Sequence, residues 1–259
     1  MPKNNKKNHI VPSKKIMSKL GRTNAEFNLI EEGDKILVGL SGGKDSLTMI
    51  HAMAEQQRRA PFKFEFIAVT ISYGMGENYD ALHEHCQKHN IPHATVDTKV
   101  YELAKEKIRK NSSFCSFFSR MRRGYLYSAA QEHGCNKVAL GHHMDDAAES
   151  FFMNFIYNGQ MRSLAPKYKA ENGLIVIRPL IQMRERQLRA FVEDNDIEAI
   201  GDESCPAMRF DVKMPHARAS TKEMLAKMEK EFPSLFTSLN AAFKNISVDS
   251  FFDKEKFSV

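Results

Sequence analysis

Short apolar runs alternate with helix-like patterns over most of the chain. Runs rich in β-branched or aromatic residues predict strands at Lys35–Leu40, Phe64–Ile71, His93–Val96, Lys137–Leu140 and Leu174–Ile177. Apolar positions at helical spacing predict helices between them, at Ser46–Arg59, Tyr79–His89, Val100–Lys110, Phe118–His133 and Asp145–Tyr157. Because parallel strands need crossover helices, this alternation predicts an α/β fold with a doubly wound, five-stranded, mostly parallel sheet.

The two ends of the chain depart from this alternation. Residues 1–32 combine a Lys- and Asn-rich tail with a basic amphipathic helix predicted at Lys14–Ile30. Residues 33–199 hold the alternating pattern and form the predicted α/β domain. Helical spacing returns at Arg184–Glu193, Ser220–Glu231 and Ser234–Asn245. We therefore predict that residues 200–259 form a C-terminal helical appendage.

Charge and composition narrow the class of protein. A formal net charge of +6 and a pI of about 9.0 favour a polyanionic partner such as nucleic acid. No apolar run reaches the roughly 20 residues that cross a bilayer, and the polar first residues have no signal-peptide core behind them. The four cysteines form no Cys-x-x-Cys pair, which favours reduced thiols. We expect a cytoplasmic protein that does not bind a membrane.

The stretch LSGGKDS, residues 40–46, directly follows the first predicted strand. A Walker A loop has four residues between its glycines and a Ser or Thr after its Lys. Here Gly39 and Gly43 enclose three residues, and Asp45 follows Lys44. The stretch is therefore a different kind of candidate phosphate loop.

A glycine turn between a strand and a helix suits phosphate binding. Its backbone N–H groups and the hydroxyls of Ser41 and Ser46 can reach one anion, with the helix dipole directed at it. A carboxylate beside a phosphate is repelled unless a cation lies between them, so Asp45 indicates Mg²⁺. The residues that we expect to bind the nucleotide are Leu40, Ser41, Gly42, Gly43, Lys44, Ser46, Ile71 and Gly141.

The string SGGKDS after an apolar strand resembles the signature of the PP-loop ATP pyrophosphatases. That resemblance implies that the chain binds ATP and cleaves it between the α- and β-phosphates. The substrate would be adenylated and pyrophosphate released.

A second group of polar residues follows the fourth predicted strand. His142 and His143 end the strand, and Asp145 and Asp146 begin the next helix. Ligands of parallel sheets gather at the carboxyl ends of strands, although a carboxylate at a helix start can also be a cap. The candidate roles are Mg²⁺ binding by Asp146 together with Asp45, orientation of an adenylated intermediate, and acid–base catalysis by His143. We predict that His143, Asp145, Asp146 and Asp45 are catalytic.

An arginine-rich stretch precedes this group. Arg120, Arg122 and Arg123 lie close to Tyr125 and Tyr127 at a helix start. Arginines next to aromatic rings suit contacts to RNA phosphates and bases, whereas a solvated helix face is the alternative. We predict that the three arginines, together with Lys167, contact nucleic acid.

Four blocks together resemble the tRNA 2-thiocytidine synthetase family, whose near relatives are the tRNA-lysidine synthetases. They are residues 26–46 (EFNLIEEGDKILVGLSGGKDS), 119–127 (SRMRRGYLY), 139–167 (ALGHHMDDAAESFFMNFIYNGQMRSLAPK) and 176–185 (VIRPLIQMRE). The resemblance implies that tRNA is the substrate. ATP would activate the C2 oxygen of an anticodon-loop cytidine as an adenylate, and sulfur would then displace AMP.

The chain departs from this family at two cysteine positions. The family holds an iron–sulfur cluster with three cysteines, which lie in two Cys-x-x-Cys blocks. Here the first block keeps Cys115 and has Phe118 as its second member, and the second block keeps Cys205 and has Met208. Because two thiolates do not replace three, we do not expect a conventional iron–sulfur cluster. Cys115 and Cys205 are instead candidates for a catalytic, persulfide-carrying pair.

Several functions remain open at this point. The chain can thiolate tRNA with help from a sulfur-donor protein, or an amine or other nucleophile can attack the adenylate. A lysidine-synthetase-like ligase is a further reading, although the GHHMDD and SRMRRG strings fit the thiolation branch better. A nucleotide-binding module that has lost catalysis belongs to another class, and a homodimer is open in each case.

Overall fold

The computed structural model describes residues 9–107, 114–198 and 217–250. The chain divides into two compact units. The first comprises Met1–His143 and Leu164–Pro215, and the second comprises Met144–Ser163 and His216–Val259. The predicted domain limits, at residues 32 and 199, stay predictions.

The helices of the described residues lie near their predicted positions. In chain order they are α1 (Lys14–Phe27), α2 (Lys44–Arg59), α3 (Asp80–Lys88), α4 (Val100–Lys107), α5 (Phe114–Glu132), α6 (Met144–Asn158), α7 (Glu185–Asp194), α8 (Ala217–Glu231) and α9 (Leu235–Ala242). A 3-10 turn follows at Val248–Ser250. Within the described ranges, every helix is too short or too polar to cross a membrane.

The end of α1 and the start of α5 are among the helix ends that differ from the predictions. Helix α1 ends at Phe27 rather than Ile30, because Asn28 adopts a left-handed backbone with φ of 48° and its N–H returns to the Asn24 carbonyl. Helix α5 begins at Phe114 rather than Phe118. Cys115 therefore lies within a helix.

The strands are β1 (Lys35–Gly39), β2 (Glu65–Ile71), β3 (His93–Val96), β4 (Lys137–Ala139), β5 (Lys167–Lys169) and β6 (Ile175–Ile177). They form one sheet in the order β3-β2-β1-β4-β6-β5. All neighbouring pairs are parallel except β5 and β6. The doubly wound, mostly parallel sheet is confirmed.

The predicted number of five strands was wrong, because the sheet has six. The missed strand, β5, reads Lys-Tyr-Lys and pairs antiparallel with β6 at the edge of the sheet. An edge strand with lysines lacks the apolar run that marks a buried strand.

Both faces of the sheet are covered, because successive apolar residues of β1 point to opposite faces. Ile36 and Val38 point into a core shared with α1, α2, α3 and α7. Leu37, between them, joins a second core with Leu126 of α5. Successive strand residues face opposite sides, so a strand buried on both faces is apolar throughout.

The second unit is helical in its described residues. Its core contains Met144 and Ala148 of α6, Leu225 of α8 and Phe236 of α9. The sequence pattern placed α6 with the sheet domain, whereas the division into compact units places it with α8 and α9.

Candidate active site

The candidate site lies where the direction of the sheet changes. From β1 the chain passes to β2 and β3 on one side, and β4 then pairs with β1 on the other side. Ligands of such sheets bind in the crevice at this switch point, at the carboxyl ends of the strands. The loops after β1 and β4 approach each other closely here. A Cβ at Gly141 would lie 3.4 Å from backbone atoms of both Asp45 and Ser46.

The loop after β1 leaves the start of α2 open. Gly42 has φ of +81°, a conformation that favours glycine. Gly43 is the N-cap of α2, and no side chain caps this helix end. First-turn N–H groups have no acceptor within a helix, so the start of α2 can accept an anion.

Two serines hold the loop in shape. Buried Ser46 donates its hydroxyl to the Gly43 carbonyl at 2.9 Å, and its Oγ accepts the Ser41 N–H at 3.2 Å. The two hydroxyl oxygens lie 3.3 Å apart, and Ser41 is exposed. Leu40 is buried and donates its N–H to the Val69 carbonyl of β2. The serines and Leu40 thus fix the backbone that would face a phosphate.

A cation and two carboxylates lie beside the loop. The Nζ of Lys44 lies 3.0 Å from Glu185 Oε1 of α7 and 3.4 Å from Asp45 Oδ2. Burial acts to lower the pKa of Lys44, but Asp45 and Glu185 outweigh it, and the pKa is raised. Lys44 is therefore a firmly held positive charge. Glu185 ends one of the four resemblance blocks, but no local pattern pairs it with Lys44, which is distant in the chain.

His143 approaches the same aspartate from the loop after β4. Its Nε2 lies 3.7 Å from Asp45 Oδ2, and the histidine side chain is 5% exposed. The structure thus brings together three residues that the sequence placed in two separate motifs, and we call Lys44, Asp45 and His143 the loop triad. Ile71, the remaining predicted nucleotide contact, is buried at the carboxyl end of β2.

Asp145 and Asp146 belong to the second unit, where they start α6. Arg218 of α8 donates to Asp146 Oδ1 at 2.5 Å and to Glu149 Oε2 at 2.8 Å. Burial raises the pKa of Glu149, although Arg218 opposes that effect. Arg218 thus links α6 to α8 through two carboxylates, a contact that the sequence did not predict.

A buried arginine holds His142. The Nε of Arg178 lies 3.4 Å from His142 Nδ1, and its Nη1 donates to the Ala165 carbonyl at 2.5 Å. Its guanidinium also lies 5.1 Å from the ring centroid of Tyr168. Sequence reasoning missed this residue, although it directly follows β6, and the carboxyl ends of parallel strands are where ligand-site residues concentrate.

The predicted nucleic-acid contacts have unequal surroundings. Arg120 and Arg123 of α5 are exposed, and Arg122 is half-buried. Lys167 instead donates to the Asn28 carbonyl at 2.5 Å and lies 3.5 Å from Glu31. The arginines are better placed for a partner than Lys167.

The cysteines that the structure describes are packed in cores. Cys86 and Cys135 are buried free thiols. Burial raises the pKa of Cys86 to about 12 and also raises the pKa of Cys135. Neither fits the thiolate that a metal or cluster needs. Cys205 and the side chain of Cys115 lie outside the described residues.

Comparisons with known proteins identify the family of this chain. A PP-loop domain family matches residues 12–214. A tRNA-cytidine(32) 2-sulfurtransferase of Geobacter metallireducens is 40% identical over 244 residues, covering 93% of each chain. The Shewanella baltica protein of that name is 35% identical and covers 94% of this chain and 78% of its own. The structure of U34-tRNA thiolase NcsA from Methanococcus maripaludis has a TM-score of 0.70 at 23% identity, covering 90% of this chain and 79% of that one.

The expectation against an iron–sulfur cluster was wrong. The NcsA thiolase, which shares this fold, has a [4Fe-4S] cluster, and the 2-sulfurtransferase relatives match across both cysteine blocks. The expectation counted cysteines in sequence blocks. Cluster ligands need not all be cysteines, since histidines replace two of them in Rieske centres.

The family resemblance that the four sequence blocks predicted is therefore confirmed. The PP-loop match spans most of the chain, and the relatives align over nearly its whole length. The loop triad and the glycine loop lie within the matched region. This chain belongs to the tRNA-cytidine(32) 2-sulfurtransferase family of PP-loop proteins.

Proposed function

We propose that this protein uses ATP to replace the C2 oxygen of a tRNA cytidine, at position 32, with sulfur. The observation that carries the proposal is the loop triad, which joins the glycine loop after β1 to the loop after β4 at the switch point of the sheet. The relatives' names supply the substrate and the position.

The glycine loop fits the phosphates of ATP. The uncapped start of α2 offers N–H groups, and Gly42 allows the backbone to approach an anion closely. Lys44 adds a positive charge that Glu185 and Asp45 keep in place. Asp45 is the ligand that we propose for Mg²⁺, which would neutralise phosphate charge during the reaction.

The reaction has two balanced steps. In the first, the C2 oxygen of cytidine attacks the α-phosphorus of ATP, and the bond to the β-phosphate bridging oxygen breaks and releases pyrophosphate. In the second, a sulfur nucleophile attacks C2, and the C2–O bond breaks and releases AMP. Oriented N–H donors and Lys44 would stabilise the charge that develops on the leaving pyrophosphate. His143, beside Asp45, is positioned to orient that carboxylate or to move a proton.

The tRNA would contact the exposed arginines of α5. Arg120 and Arg123 can pair with phosphates as planar, permanently charged donors. The formal charge of +6 supports a polyanionic substrate. We place the reaction in the cytoplasm. The sulfur-donor protein and the homodimer stay predictions.

We extend the proposal to an iron–sulfur cluster like the one in the NcsA thiolase, with Cys115 and Cys205 as two of its ligands. Protein purified without oxygen should contain iron and sulfide and absorb broadly in the visible range. The double variant Cys115→Ser with Cys205→Ser should lose both, whereas Cys135→Ser should keep them. Equal iron in the wild type and the double variant would contradict this assignment.

The main test measures both half-reactions on one substrate. Purified protein, ATP, Mg²⁺, a sulfide source and a tRNA transcript are incubated, and pyrophosphate and nucleosides are quantified, the latter by mass spectrometry. We expect pyrophosphate release that depends on tRNA, and 2-thiocytidine in the product. A transcript with uridine at position 32 is the matched control and should give neither. Pyrophosphate release without 2-thiocytidine would favour another nucleophile, and no release under any condition would favour a nucleotide-binding module.

A further inference from the structure

Three histidines form a cluster away from the loop triad. His51 lies on α2, two turns beyond the glycine loop, His85 lies on α3, and His89 follows the end of α3. One possible ligand atom from each lies within 4.8 Å of the other two. The Nε2 atoms of His51 and His85 are 2.8 Å apart. His85 and His89 are four residues apart, a spacing that places two side chains on one face of a helix.

The three rings lie at similar distances from one another. Their centroids are 5.0 Å apart for His51 and His85, 5.1 Å for His51 and His89, and 4.6 Å for His85 and His89. Imidazoles bound to Zn²⁺ at about 2.0–2.1 Å in a tetrahedral site have centroids about 5 Å apart. The centroid spacing is therefore close to that of a three-histidine zinc site, and the 2.8 Å between the Nε2 atoms of His51 and His85 would widen to about 3.3 Å if both bound one ion.

The burial of the three histidines is also compatible with a metal site. His51 is fully buried and His89 nearly so, whereas His85 is partly exposed and gives access from solvent. The Nδ1 of His51 is buried and finds no hydrogen-bond partner among the described protein atoms. The nitrogen of His51 that faces His85 is Nε2, so the cluster geometry, and not this Nδ1, carries the argument for an ion.

We propose that His51, His85 and His89 bind one Zn²⁺ ion, with a water molecule as fourth ligand on the exposed side of His85. Neutral imidazole nitrogens are common ligands of Zn²⁺ in proteins. This site is separate from the ATP site and does not depend on the proposed function.

The ion would have a structural role. Helix α2 starts at the glycine loop and α3 follows β2, so a metal ion between them would fix the helix that carries Lys44 and Asp45. A ligand that binds only the folded state raises the apparent stability of the protein. Zinc should therefore raise the melting temperature.

The test measures metal binding directly with full-length protein. Protein depleted of zinc by a chelator is titrated with Co²⁺ and then with Zn²⁺. We expect the wild type to bind one more metal ion per chain than His85→Gln or His89→Gln does. With Co²⁺, this additional ion should show visible d–d bands typical of nitrogen ligands. The affinity at this site should fall by about 100-fold or more in both variants, since losing even an outer partner of a ligand costs 10–100-fold.

Two further variants separate ligation from general effects. His83→Gln removes an exposed histidine of α3 outside the cluster and should bind metal as the wild type does. His85→Cys should keep the extra equivalent and add a thiolate-to-cobalt charge-transfer band. The proposal fails if the wild type binds no more metal than His85→Gln does and zinc raises the melting temperature of neither protein. The cluster would then be a hydrogen-bonded histidine network.

Discussion

Asp45 and Asp146 occupy similar places in the chain but have different surroundings. Each lies in the first turn of a helix that follows a buried parallel strand, β1 and α2 for Asp45 and β4 and α6 for Asp146. Asp45 has Lys44 and His143 as neighbours, both beside the glycine loop. Asp146 instead binds Arg218 at 2.5 Å, and this arginine also binds the nearly buried Glu149.

The comparison shows what a helix start can and cannot determine. An acidic residue in the first turn is stabilised by the helix dipole wherever it occurs. Whether it serves chemistry or structure depends on the partner that the fold supplies. For Asp45 the partners are other candidate ligand groups, and for Asp146 the partner is an arginine that joins two helices.

The largest expected effect is at Asp45. Asp45→Asn should lower tRNA-dependent pyrophosphate release by about 100–1000-fold, the range for losing one group that stabilises developing charge. Its side chain is 30% exposed, so the melting temperature should change little. Asp80→Asn, in the first turn of α3, is the matched control and should keep full activity. Activity within a few-fold of the wild type would show that Asp45 is not part of the ATP site.

Asp146→Asn should have a smaller effect on the same reaction. If Asp146 supports Mg²⁺ binding, pyrophosphate release should fall by about 10–100-fold, and excess Mg²⁺ should restore part of it. Arg218 keeps Glu149 as a partner, which should preserve the fold. An unchanged Mg²⁺ dependence would remove Asp146 from the metal site and leave it a structural role alone.

Arg218→Met should lower stability. It leaves two carboxylates close together, of which Glu149 has only a 6% exposed side chain. Because the Arg218 side chain is 64% exposed, the loss in free energy of unfolding should be about 1–3 kcal/mol, below the range for a fully buried pair. Denaturant unfolding measures it. Lys227→Met, which breaks the exposed pair with Glu223, should cause no measurable change, and an equal loss there would contradict the assignment.

The smallest expected effect is the pH dependence at Glu149. Burial raises the pKa of this carboxyl above its ordinary value of 4.5, so the folded state favours the protonated form. The wild type should therefore lose stability as the pH rises from 4.5 through the raised pKa, at up to about 1.4 kcal/mol per pH unit. Glu149→Gln should flatten this slope in unfolding curves measured across that window. Parallel curves for the two proteins would show that Glu149 does not titrate abnormally.

The sequence predicted the sheet because β1, β2 and β4 are apolar on both faces, and only a covered parallel sheet buries such strands. It missed β5, since Lys167–Lys169 at the sheet edge has no apolar pattern. It predicted the glycine loop because a Gly-rich turn between a strand and a helix is a local property. It missed the pairing of Lys44 with Glu185, which no local pattern encodes.

The cysteine count shows the limit of reasoning from motifs. The departure at Phe118 and Met208 was read as loss of a cluster, and the comparisons overturned that reading. A motif records which ligands a family commonly uses. It does not record every group that folding can bring to a metal.

The sequence by itself determined the helices and the apolar strands, the glycine loop and the family. These depend on short-range periodicity and on strings of adjacent residues. Only the tertiary structure decided that Asp45 lies beside His143, that Arg218 binds Asp146, and that His51, His85 and His89 form one cluster. Such contacts join residues that lie tens of positions apart in the chain. They arise only when the packed sheet and helices bring those residues together.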